Sequence, residues 1–286
     1  MQIYHIFPIL LLFEMMSAQN SSLVGMKDIQ SFPVLSPPLE MEYGISSKQK
    51  AFLRIPDKSS SSPIVVIIHG GCWVSSIADY QFMEPFASAL NEVGYSTYNL
   101  EYRSLGDEGG GYPGTFEDII LGINFLEFLA KKHPIDLERV IIIGHSAGGH
   151  LALWSAFSGM LKIRPKAVIS LAGIVNLTTY LEREGNRCGS HVDELMGGYP
   201  EDLKERYDSF SPEFQIDFNQ QITLVHGALD PIVPLNHIDT FIKKCEKMGS
   251  KFNPLIIQDA GHFEMVYPQG KVWEEIINEI QLLFSK

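Results

Sequence analysis

The sequence predicts an α/β fold in which a mostly parallel central sheet of about eight strands carries helices on both faces. Short, continuous apolar runs such as residues 64–68 and 140–143 recur along the chain, which is typical of parallel strands buried on both faces. Stretches with helical spacing of apolar residues alternate with these runs. One of them, at residues 147–157, follows a strand through a tight turn that contains glycine.

The predicted elements alternate along the chain. The first strand, at residues 51–55, is separated from the next by a serine-rich turn at 59–62, and Gly94 ends the first helix. Thr115 is expected to cap a helix whose apolar residues, from Phe116 onwards, recur at i, i+3, i+4 and i+7. Strands are predicted at residues 51–55, 63–68, 95–102, 140–143, 167–172, 222–225 and 255–257, and helices at residues 84–93, 116–129, 147–157, 236–248 and 271–284.

The stretch at residues 173–220 is the exception to this alternation. It is polar, contains the turn residues Gly197, Gly198 and Pro200, and lies between two predicted core strands. We predict that it forms a small cap over the C-terminal edge of the sheet, where folds of this kind bind ligands. Residues 26–286, including this insertion, are long and apolar enough for a single domain with a large core.

The first 25 residues differ in character from the rest of the chain. Residues 3–13 are apolar apart from His5 and Pro8, and a polar stretch follows. This pattern resembles a signal peptide, which would direct the protein out of the cytoplasm. Because no basic residue precedes the apolar stretch, an N-terminal extension or a later start of translation in a cytoplasmic protein is the alternative.

Composition limits the partners of the protein. The chain has 286 residues with 22 basic and 34 acidic side chains, and this net charge of −12 disfavours binding to nucleic acids and to anionic membranes. No stretch of about 20 apolar residues lies in the globular part, so no membrane-spanning helix is expected there. The sequence does not specify an oligomeric state.

The three cysteines, Cys72, Cys188 and Cys245, are too widely spaced for a zinc site. One pair can form a disulfide, but the spacing neither requires the bond nor identifies the pair. The sequence also lacks dinucleotide-binding and P-loop motifs. We expect no metal and no organic cofactor, and a small molecule as the substrate.

Ser146 lies at the centre of Gly-His-Ser-Ala-Gly, directly after an apolar strand and before a helix. Such a strand-to-helix turn is a nucleophile elbow, from which the serine hydroxyl projects outwards. The turn has no room for side chains at the flanking positions, which suits Gly144 and Gly148. The five-residue pattern alone is a weak signal, and its place between a strand and a helix is what makes it informative.

Two further residues can complete the chemistry of Ser146. A serine hydroxyl needs a base within hydrogen-bond distance, and the base needs a carboxylate that orients it. Asp230 follows the strand at 222–225, and His262 follows the strand at 255–257. Each alone is typical of a turn or a solvated loop, but together they complete the chain order Ser, Asp, His of α/β-hydrolases. We predict that these three residues form a catalytic triad.

The segment His-Gly-Gly-Cys-Trp at residues 69–73 directly follows an apolar strand. Consecutive glycines let backbone N–H groups turn towards one point, and each donor aimed at a forming oxyanion can contribute about 3 kcal/mol. We predict that the N–H groups of Gly71, Cys72 and Ala147 form an oxyanion hole, and that His69 stiffens the loop. Local packing or hydrogen bonding is the predicted role of the other nearby histidines, His145, His150 and His226.

These motifs resemble a known group of enzymes. His-Gly-Gly-x-Trp at residues 69–73 and Gly-His-Ser-Ala-Gly-Gly-His at residues 144–150 are similar to α/β-hydrolases related to the hormone-sensitive lipase, acetyl esterase and kynurenine formamidase families. Cys72 departs from the third glycine of the lipase-like loop and from the aromatic residue usual in the formamidases, but it keeps a backbone donor. The similarity covers about residues 26–286 and includes residues 101–103, 109–116 and 261–264.

The function predicted from these residues is hydrolysis of small or medium carboxylic esters by a serine hydrolase that forms an acyl-enzyme. The closest alternative is an arylformamidase that hydrolyses N-formylkynurenine with the same triad. An alternative of another class is a non-catalytic ligand-binding protein on a hydrolase scaffold. A long-chain lipase is disfavoured because the cap is too polar for an apolar lid, and a peptidase because no feature holds a leaving amine.

Overall fold

The computed structural model describes residues 23–56, 61–182 and 188–285. These residues form one sheet with the strands β1 (Leu39–Glu42), β2 (Lys50–Arg54), β3 (Ser62–Ile68), β4 (Ser96–Leu100), β5 (Ile135–His145), β6 (Ala167–Leu171), β7 (Ile222–Gly227) and β8 (Phe252–Ile257). The strand order is β1-β2-β4-β3-β5-β6-β7-β8. β2 is antiparallel to β1 and to β4, and the other neighbouring strands are parallel. The predicted α/β-hydrolase architecture is confirmed.

The described part of the chain contains ten α-helices and five short 3-10 helices. The α-helices are α1 (Met26–Ser31), α2 (Glu84–Glu92), α3 (Gly114–Asn124), α4 (Leu126–Leu129), α5 (Ala147–Phe157), α6 (Leu177–Leu181), α7 (Val192–Met196), α8 (Pro200–Phe210), α9 (Asp239–Met248) and α10 (Gly270–Ser285). The 3-10 helices are Tyr80–Met83, Gly189–His191, Pro212–Phe214, Leu235–His237 and Glu264–Val266.

Both faces of the sheet are covered, as the continuous apolar runs require. Along β3, Ile64, Val66 and Ile68 belong to one hydrophobic cluster, and Val65 and Ile67 belong to another. The separation arises because successive side chains of a strand point to opposite faces. Helices α3, α5 and α9 contribute to the first cluster, and α1, α2 and α10 contribute to the second.

Three strands differ from the apolar runs that the sequence shows. β5 begins at Ile135, before its apolar run, because its partly exposed first half already pairs with β3. β8 begins at Phe252 and includes Pro254, which an edge strand tolerates although proline lacks an N–H. β1 was not predicted, since its four residues are mostly exposed and have no apolar run.

Thr115 does not cap α3, contrary to the prediction. The helix begins at Gly114 and its N-cap is Pro113, so Thr115 lies inside the first turn. The Thr115 hydroxyl donates a hydrogen bond to the carbonyl of Arg103 and accepts one from the Gly111 N–H. The side chain therefore ties the start of α3 to the loop that follows β4.

The segment between β6 and β7 contains α6, α7 and α8 and corresponds to the predicted cap. It is joined to the sheet-bearing part by a disulfide between Cys72 and Cys188. The N–H of Tyr112 also donates to the carbonyl of Leu195 in α7, at 2.7 Å. The limits predicted for the cap and for the single domain stay predictions.

Two predictions at the start of the chain concern residues beyond the described ranges. The signal peptide or extension at residues 1–25 falls almost wholly outside them, and so does half of the serine-rich turn at 59–62. Within the described ranges, no helix combines the length and the apolar composition that crossing a membrane would require.

Candidate active site

Ser146 occupies the turn between the end of β5 at His145 and the start of α5 at Ala147. Its backbone angles are φ 55° and ψ −119°, a conformation that L-residues rarely adopt. The Ser146 N–H donates to the carbonyl of Leu171 in β6 at 2.9 Å. The turn is therefore anchored at the C-terminal edge of the sheet.

The glycines around Ser146 are required by close backbone contacts. A Cβ on Gly144 would overlap with the carbonyl group of Gly148, and a Cβ on Gly148 would overlap with the carbonyl oxygen of Ile68. A Cβ on Gly70 would lie 3.1 Å from the Cβ of Ser146. The loop that follows β3 therefore runs directly against the serine.

Asp230 and His262 lie in the loops that follow β7 and β8, which are neighbouring parallel strands. The Nδ1 of His262 donates to the Oδ2 of Asp230 at 2.6 Å. The Asp230 Oδ1 accepts from the N–H groups of Ile232 and Val233, at 2.8 Å and 2.9 Å. Because Nδ1 carries the proton in this arrangement, the Nε2 of a neutral His262 ring is left as a base.

The surroundings of Asp230 keep its carboxyl group ionised. Burial raises the pKa of Asp230, but the hydrogen bond and charge of His262, together with the Val233 N–H, outweigh burial and hold the pKa below its usual value. A carboxylate that remains charged can stabilise an imidazolium at His262.

Two more histidines lie next to this pair and make local hydrogen bonds, in line with the roles predicted for them. The His145 Nε2 donates to the carbonyl of His262 at 3.1 Å, and the His226 Nε2 donates to the carbonyl of Val233 at 2.6 Å. Burial, and then repulsion from His262, lowers the pKa of His145 to about 3, and burial also lowers the pKa of His226. Both rings are therefore neutral, so neither forms an ion pair with Asp230 in place of His262.

The loop at residues 69–73 has an unusual backbone. The φ angle is 103° at Gly71, 54° at Cys72 and 60° at Trp73, and only the first of these residues is free of a Cβ. In the described chain, we find no hydrogen bond donated by the N–H groups of Gly71, Cys72 or Ala147. Unused donors close to a serine hydroxyl are what stabilisation of an oxyanion requires.

A buried network supports the 69–73 loop. The His69 Nδ1 donates to the carbonyl of Gly70 at 2.8 Å, and its Nε2 lies 3.3 Å from the Oε1 of Glu101. The Tyr102 ring stacks on His69 and its hydroxyl donates to the His69 carbonyl at 2.9 Å. Burial raises the pKa of Glu101, but His69 and the Tyr80 N–H outweigh burial and keep it below its usual value. These contacts agree with the predicted stiffening role of His69.

Two contacts of this region have no motif in the sequence. Cys72 forms its disulfide with Cys188, which lies 116 residues later. The His150 Nε2 donates to the carbonyl of Phe210 at 2.8 Å, and the His150 ring meets the Trp73 ring edge-on at a centroid distance of 5.4 Å. The sequence signal for the disulfide is Cys72 itself, which stands where the lipase-like loop has its third glycine. This signal does not indicate Cys188 as the partner.

The predicted site residues all follow the C-terminal ends of parallel strands. Asp230 and His262 are in direct contact, and His145, whose ring contacts His262, is the neighbour of Ser146. The 69–73 loop runs against the same serine. Over the described ranges, no group of three or more His, Cys, Asp or Glu side chains could hold a metal ion.

A mostly parallel sheet with a serine in a strand-to-helix turn and an Asp–His pair after later strands defines the α/β-hydrolase class. The BD-FAE family model matches residues 53–245, which is about two thirds of the chain. The chain belongs to the BD-FAE family, and the predicted resemblance to esterase-like α/β-hydrolases is confirmed.

Two curated relatives are similar over most of this chain but are longer proteins. The chain is 22% identical over 269 residues to a probable isoprenylcysteine alpha-carbonyl methylesterase of Oryza sativa subsp. japonica. That match covers 83% of this chain and 61% of the methylesterase. The chain is also 24% identical over 259 residues to dipeptidyl-peptidase 5 of Aspergillus oryzae. That match covers 84% of this chain and 35% of the peptidase. The chain thus spans about a third to three fifths of the length of these two relatives.

A solved structure shows the same fold. Esterase B from Lactobacillus rhamnosis superposes with a TM-score of 0.77 and 20% sequence identity. The match covers 91% of this chain and 90% of that one. At this level of identity the likeness establishes the fold.

Proposed function

We propose that the protein is a serine hydrolase that cleaves small or medium carboxylic esters through an acyl-enzyme. The observation that carries this proposal is the 2.6 Å hydrogen bond between His262 and a charged Asp230, beside a serine held in a strained turn. A serine hydroxyl becomes a nucleophile when a nearby imidazole takes its proton. Without such a base, a serine hydroxyl is too weak a nucleophile to attack an ester at neutral pH.

The proposed reaction uses each residue in a separate role. Ser146 attacks the acyl carbon, His262 accepts the serine proton through Nε2, and Asp230 stabilises the resulting imidazolium. The imidazolium then protonates the leaving alcohol. In the second half of the reaction, His262 takes a proton from the water that attacks the acyl carbon, and then gives it to the Ser146 oxygen as the acid is released.

The negative charge that develops on the acyl oxygen needs donors that are already in place. The N–H groups of Gly71, Cys72 and Ala147 have no other acceptor in the described chain. Ala147 directly follows Ser146, and Gly71 and Cys72 directly follow Gly70, whose backbone lies against Ser146. We assign the oxyanion hole to them. Each donor of this kind can lower the barrier by about 3 kcal/mol.

An ester is the substrate that best agrees with the relatives. The Oryza sativa relative is named a methylesterase, and the structural neighbour from Lactobacillus rhamnosis is named an esterase. The Aspergillus oryzae relative is named a dipeptidyl-peptidase. The cap segment is polar, with the charged residues Asp193, Glu194, Glu201 and Asp202 in or near α7 and α8. We therefore propose soluble acyl groups of small or medium size rather than long lipid chains.

Hydrolysis of p-nitrophenyl acetate, butyrate and longer esters by the whole chain tests this function. We expect turnover by the wild type, loss of kcat on the order of 10⁶-fold in Ser146→Ala and about 10⁴-fold in Asp230→Asn. Ser155→Ala, a buried serine in α5, and Asp259→Asn, an exposed residue after β8, are the matched controls and should stay active. A folded wild type that turns over no ester and fails to react with a fluorophosphonate would contradict the proposal and favour a non-catalytic binding protein.

N-formylkynurenine in the same assay separates the two enzymatic alternatives, because both use the same triad. We expect kcat/KM to be higher for the best ester than for the formyl amide. A clear preference for N-formylkynurenine would assign the site to an arylformamidase instead.

A further inference from the structure

The backbone of Cys72 is held in a conformation that its side chain disfavours. Its φ of 54° lies in the left-handed region, where an L-residue with a Cβ is strained and glycine is not. The next residue, Trp73, has φ 60° and is strained in the same way. A proposed oxyanion donor, the Cys72 N–H, therefore depends on contacts that hold this pair of residues.

The contacts of Trp73 are made within the sheet-bearing part and with the cap. Its carbonyl accepts from the N–H of Leu105 at 2.7 Å. Its ring is fully buried and packs edge-on against the rings of His150 and Tyr180. These contacts fix the residue after Cys72 but not the side chain of Cys72 itself.

The side chain of Cys72 is fixed by the cap. Cys188, its disulfide partner, is 3% exposed, belongs to the same hydrophobic cluster, and directly precedes the 3-10 helix Gly189–His191 that leads into α7. The bond joins Cα atoms 4.9 Å apart. The cap is thus bonded covalently to the residue whose N–H is proposed to stabilise the oxyanion.

We propose that Cys188 is a positioning residue, which acts through its disulfide to hold Cys72 in the left-handed conformation that aims its N–H at the oxyanion. This inference rests on the proposed function, because it assumes that the Cys72 N–H takes part in ester hydrolysis. At the φ of residue 72, a cysteine is strained and a glycine would not be. The disulfide supplies the constraint that offsets this strain.

The first measurement establishes the bond in the protein itself. Wild type produced in an oxidising compartment and then denatured without reductant should react with one equivalent of thiol reagent, at Cys245, which is the free cysteine of the structure. After treatment with a dithiol, which takes up the two electrons by forming its own cyclic disulfide, three equivalents should react. Three equivalents before reduction would overturn the proposal.

The second measurement is the kinetics of Cys188→Ala on a p-nitrophenyl ester. We expect kcat to fall by roughly 10- to 100-fold, because the oxyanion donor acts mainly in the transition state, while KM changes much less. Cys245→Ala, a buried cysteine in α9 outside the pair, is the matched control and should keep the wild-type kcat. Fluorophosphonate labelling to completion counts the competent sites, so a slower rate with full labelling separates misplacement of the loop from unfolding.

A rescue experiment tests whether the disulfide acts through the backbone of Cys72. Glycine adopts the left-handed conformation without strain. The double variant Cys72→Gly/Cys188→Ala should therefore regain most of the kcat that Cys188→Ala loses. A double variant as slow as the single one would overturn this explanation.

The failures of the two proposals can be told apart. An active wild type together with an unchanged kcat in Cys188→Ala overturns the role of Cys188 and leaves the esterase function in place. A wild type that neither hydrolyses esters nor labels overturns the esterase function and this inference with it.

Discussion

The turn at Ser146 and the loop at residues 69–73 both hold strained backbone, but they are stabilised in different ways. At Ser146 one strained residue lies between glycines whose missing side chains allow strand, turn and helix to touch. In the 69–73 loop two consecutive residues with side chains, Cys72 and Trp73, are strained. Contacts with Leu105, Glu101 and the cap hold this loop, and a disulfide completes them.

The difference shows where each region is specified. The residues that permit the turn are the glycines two positions on either side of Ser146, so substitution of one of them should disrupt it directly. The loop is determined by partners that are distant in sequence, so its geometry should change gradually as those partners are removed. The following variants test this contrast, from the largest expected effect to the smallest.

Gly148→Ala should disrupt the turn. The new Cβ would overlap with the carbonyl oxygens of Ile68 and His69, which belong to β3 and the start of the loop, and backbone cannot move aside as a flexible side chain can. We expect kcat to fall by about 100-fold or more and the free energy of unfolding to fall by about 3 kcal/mol. Ester kinetics and urea unfolding measure the two effects.

Gly159→Ala is the control for Gly148→Ala. This glycine follows α5, has φ 71°, and a Cβ there would meet nothing within 4 Å. It should cost only the strain of a left-handed residue, about 1 kcal/mol, without loss of kcat. Equal kcat values in the two variants would show that overlap at Gly148 does not control the turn.

His150 should make the folded protein sensitive to acid, because it links the helix after the turn to the cap. Burial lowers its pKa from 6.5 to about 4, although its bond to the Phe210 carbonyl opposes the shift. Between these values the unfolded chain binds the proton and the folded chain does not, so the free energy of unfolding falls as the pH is lowered from about 6.5 to 4. The loss from this residue is about 3 kcal/mol at pH 4.

Urea unfolding at several pH values measures this effect by comparison of wild type with His150→Gln. Glutamine can still donate to the Phe210 carbonyl but does not titrate, so the decline in stability towards pH 4 should be less steep. His133→Gln, at a partly exposed histidine, should keep the steep decline. Identical pH profiles for wild type and His150→Gln would show that this ring does not carry the predicted linkage.

Glu101→Gln should loosen the 69–73 loop without unfolding the protein. The N–H groups of Tyr80 and Tyr102 donate to different oxygens of Glu101, so the variant keeps an acceptor for one of them and loses the charge that faces His69. We expect kcat to fall by about 10-fold with little change in KM, since the loss affects stabilisation of the oxyanion. Glu92→Gln, at an exposed position in α2, is the control for the same chemical change. A larger loss of kcat in Glu101→Gln than in Gly148→Ala would contradict the expected difference between the 69–73 loop and the turn at Ser146.

Much of the fold could be predicted because its signals are local. The apolar runs of β3, β6 and β7 and of the second half of β5 predicted these strands at nearly their observed positions, since burial on both faces leaves few polar positions in them. β1 and the first half of β8 could not be predicted, because an exposed edge strand and a strand with Pro254 show no such run. Thr115 had the residue type of a cap, but its hydroxyl bonds the Arg103 carbonyl instead.

The candidate site divides in the same way. Ser146, Asp230 and His262 could be proposed because each directly follows a recognisable strand and their order along the chain is informative. The contact between Asp230 and His262 follows once β7 and β8 are neighbours in the sheet. The partners of Glu101, His150 and Cys188 could not be assigned, since a carboxylate, an imidazole or a thiol can pair with many other side chains and backbone groups.

The sequence by itself determined the alternation of strands and helices and the turn at Ser146, because hydrophobic period and glycine spacing act over a few residues. Only the tertiary structure decided the pairings that hold the 69–73 loop. They join residues 32 positions apart for His69 and Glu101, 60 for His150 and Phe210, and 116 for Cys72 and Cys188. Such distances are closed by the order of strands in the sheet and by the placement of the cap, and no local pattern of residues encodes either one.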